Sequence, residues 1–321
     1  MRLLCILLGL ACLLAPAARA ADPYPTRPVR MVVAFPAGGS VDILARLVSQ
    51  ELSRRLGQPF VVDNRSGAGG NVGTEHVAKA APDGTTLLMA GAGPIVTAPS
   101  LNRDLPYDPQ RDLLPITLVA LQPNMLIVHP ALPVRSIAEL IAYARANPGR
   151  LSYGTAGIGS SQHLAAEAFA LRTGTRLLHV PYRGGAPALT DLMGGQVQLM
   201  FETIPTALQA VRGGQVRPLA VTTLRRSAAM PELPTIAESG LPGYEARAWL
   251  GLLGPAGLPA AIVEVLDRQV REVVDLPEVA ARLGDLGLEI VPSTPAAFRG
   301  FLDRELAGNR ALIAAAGITL N

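Results

Sequence analysis

The feature that most constrains the fold of this 321-residue chain is an order of elements that occurs twice. Residues 29–93 alternate short apolar segments with glycine turns and helical segments, and the same rhythm returns in residues 150–203. Apolar strands that alternate with helices are typical of parallel βαβ units, whose sheets are covered on both faces. A single core stops growing at about 250–300 residues. The pattern therefore predicts an α/β protein of two lobes, each a mostly parallel sheet flanked by helices.

The expected lobes are not both continuous in sequence. After Val221 the chain becomes rich in Pro and Gly, and two helical stretches follow over 259–274 and 295–315. We expect this tail to return to the first lobe. The predicted division is residues 21–123 plus 250–321 for lobe 1 and residues 124–249 for lobe 2, with a ligand cleft between them.

Several helix ends can be predicted from single residues. Gly57 and Gly174 follow apolar-periodic segments at the position where a helix usually ends in a left-handed residue. Ser136 stands three residues before Glu139, the spacing of a capping box. Thr294 precedes a proline that suits the first turn of the last helix.

The N-terminus has the pattern of a Sec-type signal peptide. Arg2 precedes an apolar run over residues 3–14, and Ala18-Arg19-Ala20 forms a small-residue cleavage site. A lipoprotein signal at Cys12 is the weaker alternative, because that cysteine lies inside the apolar run. We expect residues 1–20 to be removed by cleavage after Ala20, so that the protein is exported.

Cleavage changes the composition of the working protein. Both cysteines, Cys5 and Cys12, leave with the signal, which excludes a disulfide and a cysteine metal site from the mature chain. The formal net charge falls from +3 to +1 because Arg2 and Arg19 are lost. Aromatic residues are only 4% of the chain, and no basic patch interleaves with them. Nucleic acid is therefore not expected as a partner.

Four strand ends carry small, flexible residues, in the turns 35–40, 90–94, 155–161 and 182–186. In parallel α/β sheets, ligands bind beyond the carboxyl ends of the strands. The first and third turns lead directly into helices, whose free N–H groups and positive dipole end favour an anion. Since residues 35–41 include no charged side chain, the donors there would be backbone amides. For either turn alone, glycine that merely permits the turn geometry is an equally good interpretation.

Four polar side chains near these turns are candidates with competing interpretations. Asp42 lies in the first turn of its helix, where dipole compensation is favoured over ligand contact. His163 lies in a helix first turn and could face the cleft or only hydrogen-bond the turn. Arg183 could clamp a carboxylate or form a surface ion pair. Glu202 ends a strand and could bind an amine, a water or a backbone N–H. His76, His129 and His179 are expected to be isolated, in core or surface positions.

Signatures of enzymes are weak or missing. The stretch GAGGNVG at residues 67–73 has the spacing G-x-G-G-x-x-G and not that of a dinucleotide fingerprint. The chain has no G-x-S-x-G nucleophile elbow and no clustered metal-ligand motif. An exported hydrolase that uses Ser160 or Ser161 with His163 remains the alternative from another class. No cofactor and no metal are expected.

Long segments of the chain resemble a known family. The stretch that begins YPTRPVRMVVAFPAGGSVDILARLVSQELSRRLGQPFVVDNRSGAGGNVGTEHVAKAAPDGTTLLM is similar to the start of the Bug/TctC family, as are YGTAGIGSSQHLAAEAF, VPYRGGAPALTDLMGGQVQLMF and the stretch from LAVTTLRRSAAMPELPTIAESG to the last helices. These are periplasmic solute-binding proteins associated with tripartite tricarboxylate transporters. The resemblance covers essentially the whole mature chain.

The resemblance implies a Venus-flytrap protein of type II-like architecture, located in the periplasm and not an enzyme. It implies a monomer that closes on a small carboxylate (a di- or tricarboxylate, an acidic amino acid or an aromatic acid) and hands it to a membrane permease. Family members bind through backbone amides and trapped waters of the loops that match 35–42 and 155–163, with 90–93 and 182–184 beside them. The residues expected to bind the ligand are Phe35, Ala37, Gly38, Gly39, Ser40, Asp42, Ala90, Gly91, Ala92, Thr155, Ala156, Gly157, Gly159, Ser160, Ser161, His163, Tyr182, Arg183 and Glu202.

The chain departs from the family pattern at two places. Residues 90–94 read AGAGP where a Ser/Thr-rich stretch is common, and Glu202 stands where Asp is common. The first change removes hydroxyl donors and the second adds a methylene, so both bear on which carboxylate is bound. A sensory receptor that binds the same solute and signals to a membrane partner is the alternative within the same class.

Overall fold

The computed structural model describes residues 24–320. The predicted signal peptide, its cleavage site and both cysteines lie outside this range. Within it, no helix has both the length and the apolar character that crossing a membrane requires.

One ten-stranded mixed sheet runs through the molecule, in the order β2-β1-β3-β9-β4-β7-β5-β6, with β8 and β10 also paired to β4. The strands are β1 (Val29–Val33), β2 (Phe60–Asn64), β3 (Thr86–Gly91), β4 (Leu113–Val128), β5 (Ser152–Thr155), β6 (Leu178–Pro181), β7 (Leu199–Thr203), β8 (Arg217–Val221), β9 (Arg247–Pro255) and β10 (Glu289–Ile290). The helices are α1 (Ser40–Leu56), α2 (Asn71–Ala78), α3 (Ala98–Leu101), α4 (Pro109–Asp112), α5 (Ile137–Ala146), α6 (Ser161–Thr173), α7 (Gly185–Met193), α8 (Ile204–Arg212), α9 (Ala260–Val274), α10 (Pro277–Asp285) and α11 (Pro295–Ala316).

Strand β4 joins two halves of the sheet. It pairs with β9 as far as Pro123, opposite Arg247, and with β7 and β8 from Asn124 onward. We call β1, β2, β3, β9, β10 and β4 up to Pro123 the first sheet half, and the remainder the second sheet half. The outer strands pair in parallel, as the βαβ pattern predicts, whereas β9 and β4 run antiparallel to their neighbours.

Each sheet half is buried on both faces, which explains its apolar strands. In the first half, α1, α9 and α10 cover one face, and α2 and α11 cover the other. In the second half, α5 and α6 cover one face, and α7 and α8 cover the other. The sheet halves therefore present the carboxyl ends of their parallel strands toward the β4 crossing, where the candidate site lies.

The predicted helix ends are confirmed. Gly57 and Gly174 follow α1 and α6 with φ of 71° and 63°, in the left-handed region. The hydroxyl of Ser136 accepts a hydrogen bond from the Glu139 amide at the start of α5. The hydroxyl of Thr294 accepts one from the Ala297 amide at the start of α11.

Eight of these strands and helices were not predicted from the sequence: β4, β8, β9, β10, α3, α4, α8 and α10. Strand β4 is almost wholly buried on both faces, so it shows no polar alternation, and it contains Pro115 and Pro123. Proline is unusual in a central strand. The pairing of β4 with β9 is irregular between Pro115 and Thr117, which accommodates the first proline at a register shift.

Candidate functional site

The first turn, residues 34–39, joins β1 to α1 without a capping side chain. Gly38 has φ of 87° and Gly39 takes the N-cap position in an extended conformation, with φ of −78°. The first hydrogen bond of the helix runs from the Ile43 amide to the Gly39 carbonyl. Among residues 24–320, the amides of Gly39 to Asp42 have no hydrogen-bond partner. The turn thus presents a row of free donors at the positive end of a 17-residue helix.

Asp42 fixes the shape of this turn. Its Oδ2 accepts hydrogen bonds from the Gly38 amide (3.0 Å) and from Arg46 Nε (2.9 Å), and its Oδ1 accepts one from Asn64 Nδ2 (2.9 Å). Burial raises the pKa of Asp42, but the three hydrogen bonds and the charge of Arg46 outweigh it and hold the pKa below its usual range. Both carboxylate oxygens of Asp42 accept hydrogen bonds from neighbouring residues, so Asp42 is a positioning residue of this turn.

Phe35 and Ala90 serve mainly as packing around the first turn. The Phe35 ring lies against Gly70 and Gly91, where a Cβ would come within 3.2 Å and 3.5 Å of ring atoms. The Ala90 side chain is buried in the core on the α11 side of the sheet. Ala37 and Gly38 are exposed, Ser40 and Gly91 are buried, and Ala92 is half-buried.

The second turn, residues 156–160, joins β5 to α6 and is held by side chains. Ser160 caps α6, since its Oγ accepts a hydrogen bond from the His163 amide (3.3 Å). His163 Nδ1 accepts one from the Gly159 amide (3.1 Å), and Thr155 Oγ1 accepts one from the Gly157 amide (3.2 Å). Within the described part of the chain, the amides of Ser161 and Gln162 are the donors of the first helical turn that keep no partner.

Behind the second turn lies a stack of rings. His163 and His179 are parallel, with ring centres 3.9 Å apart, and Tyr153 stacks on His179 at 5.0 Å. His179 Nε2 lies 2.7 Å from Thr155 Oγ1. The expectation that His179 is isolated was wrong, because the parallel pairing of β5 with β6 brings it beside the turn.

Burial keeps both histidines of this stack neutral. It lowers the pKa of His163 to about 3, with a smaller contribution from His179, and it lowers the pKa of His179 to about 4. A neutral His163 can accept the hydrogen bond from the Gly159 amide at Nδ1, whereas a protonated ring cannot, because both of its nitrogens are donors. Ser160 Oγ accepts a hydrogen bond from the His163 amide, and His163 Nδ1 accepts one from the Gly159 amide. Ser161 Oγ lies 3.4 Å from Gln162 Oε1. This arrangement gives no serine–histidine pair of the kind that a serine hydrolase needs.

Glu202 is buried beneath a third turn, residues 182–184. Its Oε1 accepts hydrogen bonds from Gln162 Nε2 (3.2 Å), the Thr203 amide (2.7 Å) and the Thr203 hydroxyl (3.0 Å). Its Oε2 sits against Gly185, where a Cβ would be only 2.5 Å away. Burial raises the pKa of Glu202, and the hydrogen bonds offset part of that rise. Gln162 and Glu202 together tie the start of α6 to the start of α7.

The rest of the third turn is anchored at Tyr182, whose amide donates to the Thr155 carbonyl (3.0 Å) and whose hydroxyl donates to Asp191 (2.7 Å). Arg183 is exposed and makes no ion pair with any residue of the range 24–320. The surface ion pair that competed with the clamp interpretation is therefore not seen there.

The two sheet halves meet at their turns. A Cβ built on Gly159 would lie 2.9 Å from Leu101 Cδ1 and 3.0 Å from Thr97 Cγ2. Helix α11 of the first half also contacts α6 of the second. Thr97 and Leu101 come after β3, and their contact with Gly159 was not predicted from the sequence. Nothing in the local sequence indicates which loops of the two sheet halves meet.

Gln122 and Asn124 of β4 were missed as well. Gln122 Oε1 accepts a hydrogen bond from Ser40 Oγ (3.0 Å), which connects β4 to the first residue of α1. The available signal was the pair of polar residues Gln122 and Asn124 inside the otherwise apolar run 118–128. It is hard to interpret until that run is known to be a strand.

Comparisons with known proteins agree with this geometry. A family model described as "Tripartite tricarboxylate transporter family receptor" (TctC) matches residues 44–318. Protein BugT of Bordetella pertussis is 39% identical over 287 residues, which cover 89% of this chain and 88% of BugT. The solved structure "R. palustris Rpa4515 with adipate" is 40% identical with a TM-score of 0.88, over 92% of this chain and 99% of that one. "MatC (Rpa3494) from Rhodopseudomonas palustris with bound malate" is 33% identical with a TM-score of 0.84, over 90% and 100%.

Proposed function

Because this chain belongs to the TctC family of periplasmic solute-binding receptors, which is not an enzyme family, we propose that it captures a small carboxylate between two lobes. The lobes are residues 21–123 with 250–321 and residues 124–249. The observation that carries the proposal is the row of amides at the start of α1 that have no partner among residues 24–320, with a second helix start on the other side of the β4 crossing. The adipate and malate in two similar structures support a carboxylate as the ligand.

Backbone donors suit a ligand that must be released. Each exposed helix-dipole contribution is worth about 0.3–1 kcal/mol, and up to roughly 2 kcal/mol when partly buried. Several such contributions together can bind a carboxylate. A buried cation would bind it too, but would also keep it bound after the two lobes separate. We propose delivery to a membrane permease of the tripartite tricarboxylate type, by a monomer exported to the periplasm with residues 1–20 as its cleaved signal.

A thermal-shift panel on the mature chain tests the carboxylate proposal. The protein is unfolded and refolded to remove carried ligand, then heated with C4 to C6 dicarboxylates, citrate, acidic amino acids or aromatic monocarboxylates. A ligand at 100 times its Kd adds about 2.7 kcal/mol to the free energy of unfolding. For a chain of this size that raises Tm by roughly 4 °C. Sulfate at the same concentration is the control, and a folded sample that shifts with no carboxylate contradicts the proposal.

A further inference from the structure

The floor of the cleft holds two buried amide side chains whose hydrogen bonds are incomplete. Gln122 and Asn124 are 1% and 0% exposed. Among the described residues, Gln122 Nε2 and both Asn124 Oδ1 and Nδ2 have no hydrogen-bond partner. A buried polar group without a partner has lost its hydrogen bonds to water and gained none in exchange, so such groups generally have a partner.

The strand register places both residues between the two sets of strand ends. Gly91, the last residue of β3, pairs with Leu250, which in turn pairs with Ala120 of β4. Thr203, the last residue of β7, pairs directly with Asn124. Residues 120–124 of β4 therefore span the gap that separates the carboxyl ends of the two sheet halves, and ligands of such sheets bind beyond these ends.

Both side chains also lie on the face that carries the two helix starts. Gln122 contacts Ser40, the first residue of α1. Asn124 shares its face with Gln122, since side chains two apart in a strand point the same way. The next residues on that face, Leu126 and Val128, pack in one core cluster with Ala165 of α6. The unpaired amides thus face the region between the free N–H groups of α1 and those of α6.

The chemistry of Asn124 specifies what it would bind. A carboxamide offers one acceptor and one pair of donors whichever way it is turned. A carboxylate only accepts and an ammonium only donates, so either would leave one side of Asn124 unpaired. A hydroxyl both donates and accepts. Gln122, whose oxygen already accepts from Ser40, adds a further donor beside it.

We propose that Asn124 is a specificity-determining residue that recognises a hydroxyl on the carbon chain of the bound carboxylate, so that this receptor selects hydroxycarboxylates over the corresponding unsubstituted acids. This rests on the proposed function, because the carboxylate end of the ligand is what the helix starts hold. A site built to hydrogen-bond a ligand hydroxyl discriminates strongly against an analogue that lacks it, because its own polar groups are then left unpaired.

The test is calorimetric titration of the refolded wild-type chain with pairs of acids that differ by one 2-hydroxyl group: succinate and malate, glutarate and 2-hydroxyglutarate, phenylacetate and mandelate. We expect the hydroxylated member of the bound pair to bind at least about tenfold more tightly. We expect Asn124→Leu to bind both members of that pair equally, because an apolar side chain of similar size removes the recognition and keeps the packing. Met125→Leu is the matched control, since Met125 is buried on the opposite face of β4, and it should keep the wild-type preference.

Two results overturn the inference while the carboxylate receptor stands: both members of a pair bind the wild type equally, or the preference survives in Asn124→Leu. The second result would mean that Asn124 holds water or another internal partner. A folded wild type that binds no member of any pair argues against the proposed function itself. If Asn124→Leu does not fold, the wild-type pairs still decide, because a missing preference for the hydroxylated acid is sufficient to overturn the inference.

Discussion

The two turns that lead into α1 and α6 reach the same position in the fold by different means. The first turn is held by the single acid Asp42, whereas the second is held by Thr155, Ser160 and His163. Counting partners within residues 24–320, the first turn leaves four consecutive amides free and the second leaves two. The difference indicates a division of labour. The free amides of the first turn are suited to bind a carboxylate. The second turn, whose amides are mostly held by its own side chains, is suited to pack against the bound ligand as a rigid surface.

The largest expected effect comes from removing one free amide of the first turn. Gly39→Pro deletes the N–H at a residue whose φ of −78° proline can adopt, and we expect carboxylate affinity to fall by at least about 100-fold. Gly39→Ala keeps the N–H, and its Cβ would meet only Pro36 O at 3.8 Å. Titration of both variants with the acid that binds wild type makes the comparison. Wild-type affinity in Gly39→Pro would show that this amide does not touch the ligand.

The histidines behind the second turn are expected to make the free energy of unfolding fall in a defined pH window. His163 and His179 stay neutral in the fold because burial lowers their pKa to about 3 and about 4, while the unfolded chain takes up protons below about pH 6.5. The unfolded state therefore binds more protons in this window, and stability falls as pH falls from about 6.5 toward 4. The loss is at most about 1.4 kcal/mol per pH unit for each histidine, and less for the partly exposed His179.

Urea unfolding at several pH values between 4.5 and 7 measures this loss. His179→Phe keeps a ring in the stack between Tyr153 and His163 and should flatten the pH dependence. His129→Gln is the control, because that histidine contacts Ala131 away from the stack. Glu167, whose Oε1 lies 3.9 Å from His163 Nε2, is the acid that faces the stack. A pH dependence unchanged in His179→Phe would exclude this ring as its source.

The first turn should be insensitive in that window and respond only at lower pH. The pKa of Asp42 is held below its usual range, so the contribution of Asp42 to stability is present above about pH 4 and is lost as pH falls further. At neutral pH we expect Asp42→Asn to lower the free energy of unfolding by about 1 kcal/mol, since Arg46 is half-exposed and solvent weakens that pair. Affinity for the carboxylate should fall with it, because Gly38 loses its anchor. An unchanged affinity would separate Asp42 from the turn geometry.

The smallest expected effect is at Arg183, the exposed cation of the third turn. Arg183→Gln should weaken carboxylate binding by roughly 2- to 5-fold at low salt and by less at 0.5 M salt, because an exposed charge is screened. Titration at two salt concentrations measures this. A loss as large as that expected for Gly39→Pro would mean that Arg183 contacts the ligand carboxylate directly. Carboxylate binding would then depend on the third turn as well as on the first.

Much of the local structure could be predicted from the sequence. The glycines that end α1 and α6, the caps at Ser136 and Thr294, and the small residues after the strands each act through their nearest neighbours in the chain. The family resemblance then gave the receptor class, which the family comparison confirms. For Asp42, the sequence favoured compensation of the helix dipole over ligand contact, whereas its hydrogen bond to the Gly38 amide, which anchors the turn, is seen only in the structure.

The tertiary structure alone decided which of these parts meet. His179 reaches Thr155 because β5 and β6 pair in one register, and Gln122 reaches Ser40 across 82 residues of sequence. Asn124 lies between the two sets of strand ends because β4, a strand without polar alternation, changes partners at that residue. The reason is physical: helix caps and turns are fixed by hydrogen bonds within a few residues, whereas strand register and the contact of two lobes depend on burial summed over the whole chain.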